Sequence, residues 1–329
     1  MNAKIYDDQL IVVTGAAGFI GSAVVRCLND RGLSNLLLVD DIGKTDKWKN
    51  LLGKRYTDII SKHDLFKWLE GREREIEAFI HLGADSDTLE SDVDYLLENN
   101  YRYTVRLAEY ALEHGHRFIY ASSAATYGDG LLGFCDDHDL LEELRPLNAY
   151  GFSKHQFDLW AKRQGVLNTI VGLKYFNIFG PNENHKGRMA SMVHKMFPVA
   201  EQNKAIALYR SSDPKLYADG EQKRDFLYVK DAACMTCLFL DNDQGGIFNI
   251  GRGEATAWNT LATALFKALS KDPRIEYIDM PKDLIKQYQN YTCADMRKFH
   301  KAYKYAFRYS IPEAIDDYVG SYLVKDARW

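Results

Sequence analysis

Thr14-Gly15-Ala16-Ala17-Gly18-Phe19-Ile20-Gly21 constrains the fold more than any other stretch, because it turns a short apolar run, Leu10–Thr14, directly into a segment with helical spacing. Gly15 permits the tight turn, Gly18 lets the backbone approach a pyrophosphate, and Gly21 allows the helix to pack closely on the strand. The helix start at Phe19 and Ile20 then presents unpaired N–H groups and its positive dipole end to phosphates. Asp40 and Asp41 close the next apolar run about twenty residues on, where a carboxylate reaches a ribose hydroxyl. Together these features predict a dinucleotide-binding βαβ unit. Asp40 argues for NAD, but Lys44, Lys47 and Lys49 follow closely and can accommodate the 2′-phosphate of NADP, so the residues leave both open.

Further apolar runs continue the alternation with helical segments: Asn35–Asp40, Ala78–Leu82, Phe118–Ala121 and Thr169–Lys174, with Ser22–Arg31 and Tyr95–Glu113 among the helices. This rhythm predicts an α/β fold, a Rossmann-type doubly wound parallel sheet. It breaks after Phe176, where Asn182 to Asp225 is polar and loop-rich, and returns at Gly246–Ile250, Arg274–Asp279 and a helix near Ile311–Leu323. A smaller α/β substrate-binding lobe is therefore expected to be interleaved in sequence. The dinucleotide domain should take residues 1–176 and about 226–250, and the lobe about 177–225 and 251–329.

A chain of 329 residues with a formal charge of -4 and no long Lys/Arg block has no electrostatic footprint for nucleic acid or an anionic membrane. No apolar run is long enough to span a bilayer, and the start of the chain does not read as a secretion signal, so the expected location is the cytoplasm. The five cysteines are an odd number and do not read as a disulfide framework. Cys234 and Cys237 have C-x-x-C spacing, but Asp231–Leu240 reads as a buried helix and no second pair completes a zinc site. No metal is expected, and small molecules are the default partners.

Tyr150 and Lys154 stand four residues apart in a helical stretch, on one face and one turn apart. A cation at about 5 Å in an effective dielectric of ~20 favours phenolate by roughly 3 kcal/mol, about two pH units, which makes a usable acid/base. Ser123, just past a strand end, is placed to orient a substrate hydroxyl.

The glycine loop, with its G-x-x-G-x-x-G spacing, the Ser-rich strand end and the Tyr-x-x-x-Lys pair together resemble the extended short-chain dehydrogenase/reductase family across the first half of the chain. Dehydratases of that family carry an Asp-Glu pair where this chain has Ala124 and Ala125, which leaves epimerases and reductases. Tyr120–Gly128, Lys174–Pro181, His185–Ser191 and Lys223–Phe226, joined to Asn99-Asn100 and Tyr288-Gln289, resemble the ADP-glycero-manno-heptose 6-epimerases nearly end to end. Only Met1 to Gln9 falls outside the match.

That resemblance implies transient oxidation at carbon six and hydride return to the other face, for lipopolysaccharide core heptose supply. It implies Tyr150 and Lys186 as the two acid/base groups, with Ser123 and Lys154 beside them, and NADP as cofactor. The implied cofactor contacts beyond the glycine loop are Asp40, Asp41, Lys47, Lys62, Leu82, Gly83, Ala84, Asp85, Ser86, Asn99, Lys154, Ile178 and Lys186. The implied contacts to an ADP-heptose substrate are Ser123, Asn177, Arg188, Lys195, Tyr217, Arg224 and Tyr288. Homo-oligomers, often pentamers, are the implied assembly. Arg188 stands where some relatives have a small hydroxyl residue, Lys195 follows His194 where others have histidine, and Tyr217–Gly220 is one residue short before Lys223-Arg224. Competing readings are a UDP-sugar 4-epimerase or reductase, and a non-catalytic dinucleotide sensor, which would more readily lack Tyr150 or Lys154.

Overall fold

The computed structural model describes residues 9–281 and 288–329, so all of the N-terminal extension before Gln9 lies outside the described residues. The strands are β1 (Leu10–Thr14), β2 (Leu36–Asp40), β3 (Asp58–Ser61), β4 (Ile76–His81), β5 (Arg117–Ser123), β6 (Val171–Tyr175), β7 (Asn177–Phe179), β8 (Ile206–Tyr209), β9 (Lys223–Tyr228), β10 (Gly246–Ile250), β11 (Ala255–Ala257) and β12 (Ile275–Ile278). Seven of them form one sheet in the order β10-β6-β5-β4-β1-β2-β3, with every pairing parallel. Strands β1, β2, β6 and β10 are buried along their whole length, as continuous apolar runs covered on both faces require.

From β1 the chain builds outward to β2 and β3, then returns to the other side of β1 with β4, β5 and β6. The strand order thus reverses between β1 and β4, which opens a crevice beyond their carboxyl ends. Thr14 pairs with His81 there. Their side chains meet at 2.6 Å, and Gly83 N donates to Thr14 Oγ1 at 3.1 Å, so the loops after β1 and β4 are fastened together. Smaller sheets, β11-β9-β7 and β12-β8, carry the other lobe.

Two apolar cores follow. The large one runs from Leu10 to Ile250 across the seven-stranded sheet and takes in Ala294, Met296 and Phe299. The second joins Phe179, Val193, Phe197, Phe226, Leu261, Phe266, Ile315 and Tyr318. Ala294, Met296 and Phe299 fall in the stretch expected to belong to the lobe, yet they pack with the dinucleotide-binding sheet. Cys27, Cys234 and Cys237 are buried in the large core, with Cys27 Sγ 3.5 Å from Cys234 Sγ.

Two expectations change in detail. Strand β3, absent from the sequence alternation, is a half-exposed edge whose Asp-Ile-Ile-Ser pattern offers only two apolar residues. The helix read at Tyr95–Glu113 is α-helical at Val93–Leu96 and Tyr103–Glu113, with a wide π turn over Leu97–Arg102 between them. Such turns recur at functional sites, and this one carries Asn99 and Asn100.

The glycine loop shows why its glycines are needed. Gly15 has φ 66, and a Cβ there would lie 2.7 Å from Gly83 N; a Cβ on Gly21 would lie 2.0 Å from Gly15 O. Gly21→Ala must therefore push the helix off the loop. It is expected to destabilise the fold by about 3 kcal/mol, the upper range for overpacking, and to weaken dinucleotide binding. Denaturant unfolding and a cofactor titration check both.

Candidate active site

The crevice at the switch point has a volume of about 1000 Å³, at the upper end for small-molecule sites. Its walls include Gly15, Gly18, Phe19, Ile20 and Gly21 of the loop, Leu82 to Ser86 after β4, and Ser123, Tyr150 and Lys154 beyond β5. Asn177, Ile178 and Lys186 close it from the side of the second lobe.

At the dinucleotide end, the helix Phe19–Asp30 begins at Gly18 with no side-chain cap and no acidic residue in its first turn. Its first N–H groups are thus left for an anion. Asp40 accepts hydrogen bonds from Ala17 N at 2.8 Å, Asp41 N at 2.7 Å and Lys47 Nζ at 2.7 Å. Its carboxylate, expected to face a ribose, is thereby engaged in shaping the loop. Asp41 is more open, with Lys62 Nζ 3.9 Å away, and Lys62 also donates to Asn99 Oδ1 at 2.8 Å. The close-packed glycine loop, the uncapped helix start and the mixed Asp/Lys rim fit a dinucleotide.

The acid/base group is built by the helix Ala149–Arg163. Asn148 caps it by accepting from Gly151 N at 2.7 Å. A Cβ on Gly151 would meet Ala125 O at 2.8 Å, so this helix packs directly on the turn after β5. That contact brings Tyr150 beside Ser123, whose hydroxyl acts to lower the phenol's pKa. Asn100 Nδ2 donates to Ser153 Oγ at 3.0 Å and to Asp85 O at 2.9 Å, locking the helix to the loop after β4.

The expected electrostatics need correction. Desolvation raises the Tyr150 pKa, against a smaller lowering by the Ser123 hydrogen bond. Lys154 is buried, donates to Ala121 O at 2.9 Å, and has its own pKa pushed down to about 8 by burial. The lysine does not dominate the phenol because both groups have lost water, and burial opposes charge on each. Tyr150 thus begins as a proton donor. His81 beneath them is pushed down to about 3 by burial and by Lys154, and stays neutral.

If turnover needs the Lys154 ammonium, kcat/KM should fall as pH rises through about 8, because the lysine then loses its proton. An ordinary lysine would lose it only above about pH 10. In Lys154→Arg the descending limb should move upward, since arginine stays charged. A pH series on both proteins tests this.

Lys186 Nζ lies 3.4 Å from Ser86 Oγ and 5.7 Å from the centre of the Phe19 ring. Burial lowers its pKa, the direction that makes an amine a competent proton carrier near neutrality. Arg188 is exposed and paired with Asp87, and Lys195 is exposed on the helix Met192–Glu201. Arg224 is buried with its guanidinium 4.9 Å from the Tyr288 ring. None of Arg188, Lys195, Tyr217, Arg224 and Tyr288 is among the side chains that line the crevice. Trp258 does line it, and its Nε1 donates to the Tyr288 hydroxyl at 3.0 Å. The sequence reading missed Trp258 and also Glu183, which lines the same wall. The Asn-Glu-Asn-His run before Lys186 was the available signal for Glu183; Trp258 had none.

A parallel sheet with a glycine-loop crevice and a Ser-Tyr-Lys group defines a nicotinamide-dependent enzyme class. The model of the NAD dependent epimerase/dehydratase family matches residues 11–251, and the chain belongs to that family. It is 45% identical over 323 residues to the ADP-L-glycero-D-manno-heptose-6-epimerase of Nitratidesulfovibrio vulgaris, covering 95% of this chain and 98% of that protein. Among solved structures, the ADP-L-glycero-D-manno-heptose-6-epimerase of Helicobacter pylori is similar with a TM-score of 0.77 and 26% identity, over 96% of both chains. The UDP-glucuronic acid 4-epimerase of Bacillus cereus, in complex with UDP-glucuronic acid and NAD, has a TM-score of 0.75 and 25% identity, over 95% of this chain and 99% of that one. Among the described residues no helix is long and apolar enough to cross a membrane.

Proposed function

We propose that this chain interconverts ADP-D-glycero-D-manno-heptose and its L-glycero epimer at carbon six, to supply lipopolysaccharide core heptose in the cytoplasm, with NADP as cofactor. The observation that carries the reading is that two proton-handling side chains on separate elements, Tyr150 and Lys186, line one crevice. The near full-length identity to a heptose epimerase supports the substrate.

A nicotinamide dinucleotide held in the crevice would supply the hydride acceptor and donor for the reaction. Glycine-loop and helix N–H groups would hold its pyrophosphate, and Lys62 and Lys47 would face a 2′-phosphate. Ser123 orients the carbon-six oxygen in the crevice. Lys186, as its neutral amine, takes the hydroxyl proton as hydride leaves carbon six and the ketone forms. Once the ketone presents its other face, the Tyr150 phenol gives its proton to the carbonyl oxygen as hydride returns, and both groups recover their protonation by exchange with solvent. Trp258 would face the substrate at the crevice wall, with Tyr288 hydrogen bonded to it and Arg224 against the Tyr288 ring. Assembly as a homo-oligomer, a pentamer by the family resemblance, belongs to the same proposal.

Turnover in deuterium oxide tests this route. Hydride return within one turnover leaves carbon six without solvent deuterium, as read by proton NMR. Wash-in of deuterium at carbon six would mean a deprotonation route and would reject the proposal. Mass spectrometry of cofactor retained by the purified protein tests NADP against NAD.

A further inference from the structure

We propose that Glu183 is a positioning residue that clasps the loop carrying Lys186 and ties it to the second core. The inference rests on the reading of Lys186 as the second acid/base.

Glu183 is 1% exposed, so its carboxylate has few water contacts to stabilise it. It is instead satisfied by protein donors on both sides of the Lys186 loop. Before the loop, Gly180 N donates at 3.2 Å; after it, Ser191 Oγ donates at 2.7 Å and Ser191 N donates as well. The fourth donor is the Tyr318 hydroxyl, at 3.1 Å, from a side chain embedded in the second core.

Besides Glu183, the loop between these anchors is tied by the Arg188–Asp87 pair and by Asn184 Nδ2 donating to Asp326 Oδ1 at 3.4 Å, both at the exposed surface, where such pairs contribute little. Its own bonds are those from Lys186 N to Glu183 O at 2.9 Å and from Ala190 N to Gly187 O at 3.1 Å. His185 Nδ1 lies 3.3 Å from Asn50 Nδ2. Gly187 breaks the turn with φ 50 and ψ -120. The Lys186 amine has a long contact to Ser86 and an approach to the Phe19 ring, with the charges of Glu183 and Asp85 acting on it. The placement of Lys186 is therefore set through the backbone, and Glu183 closes that backbone. Because Tyr318 belongs to the second core, as do Phe179 and Val193 on either side of the loop, the carboxylate holds the loop to that core.

Glu183→Gln keeps the volume but puts an amide donor where the surrounding groups are also donors. Its effects should be local: amides of 184–190 should exchange with solvent at least about tenfold faster, while β1 is unchanged. Turnover should drop by about 10²-fold, the usual cost of misplacing a reacting group, with KM and dinucleotide affinity within about threefold. Glu183→Asp should recover part of the turnover. Should Glu183→Gln not fold, Tyr318→Phe and Ser191→Ala remove one donor each and should show the same changes at smaller amplitude.

Unchanged exchange across 184–190, or a rise in KM matching the loss of kcat, would overturn the clasp. The two failures separate cleanly. If Lys186→Met keeps full turnover, the acid/base reading falls, and amide exchange in Glu183→Gln still decides whether the clasp exists.

Discussion

Tyr150→Phe is expected to lower kcat by about 10³-fold, within the range for a positioned acid/base, with little change in dinucleotide or substrate affinity. The phenol lies beside Ser123 and lines the crevice together with the buried Lys154. Phenylalanine keeps the ring, so the helix start should still pack on Ala125. Steady-state kinetics with a parallel cofactor titration gives the answer. A loss below about tenfold would move the proton chemistry elsewhere, since a general acid/base is worth more than that.

The second large effect is expected at Lys186. Methionine retains an unbranched stem against Phe19 and removes the amine, so Lys186→Met isolates the proton-carrying role. Epimerisation should slow by about 10²- to 10³-fold while nucleotide affinity holds. If affinity and rate fall together, Lys186 holds a phosphate instead, because an interaction equal in ground and transition states acts on binding. The pair of variants is informative together, since inversion needs proton transfer on two faces and either loss suffices to block it.

Much of this could be read in advance because local rules govern it. The glycine loop has one steric solution, and its strand, helix and acidic neighbours all sit where that solution requires them. The Tyr150–Lys154 spacing follows from one helical turn. Energetic balance was harder to read: the pull of Lys154 on Tyr150 was expected to dominate, whereas burial of both groups reverses the net shift on the phenol. Burial is a property of the assembled fold and has no signature in spacing.

Contacts between distant segments were hidden for the same reason. Glu183 meets Tyr318, 135 positions away, and Trp258 reaches the crevice from the start of the helix Trp258–Ala268. The resemblance also put Arg188 and Lys195 at the substrate; in the structure both are exposed, and Arg188 pairs with Asp87 of the crevice wall. Strand β3 escaped notice because an edge strand needs few apolar residues.

The most direct test incubates the purified protein with each carbon-six epimer of ADP-glycero-manno-heptose, adding NADP, and follows the anomeric and carbon-six protons by NMR. The account predicts that either epimer relaxes to the same equilibrium mixture, with no net consumption of cofactor. No interconversion of the heptose, alongside interconversion of UDP-galactose and UDP-glucose, would contradict it.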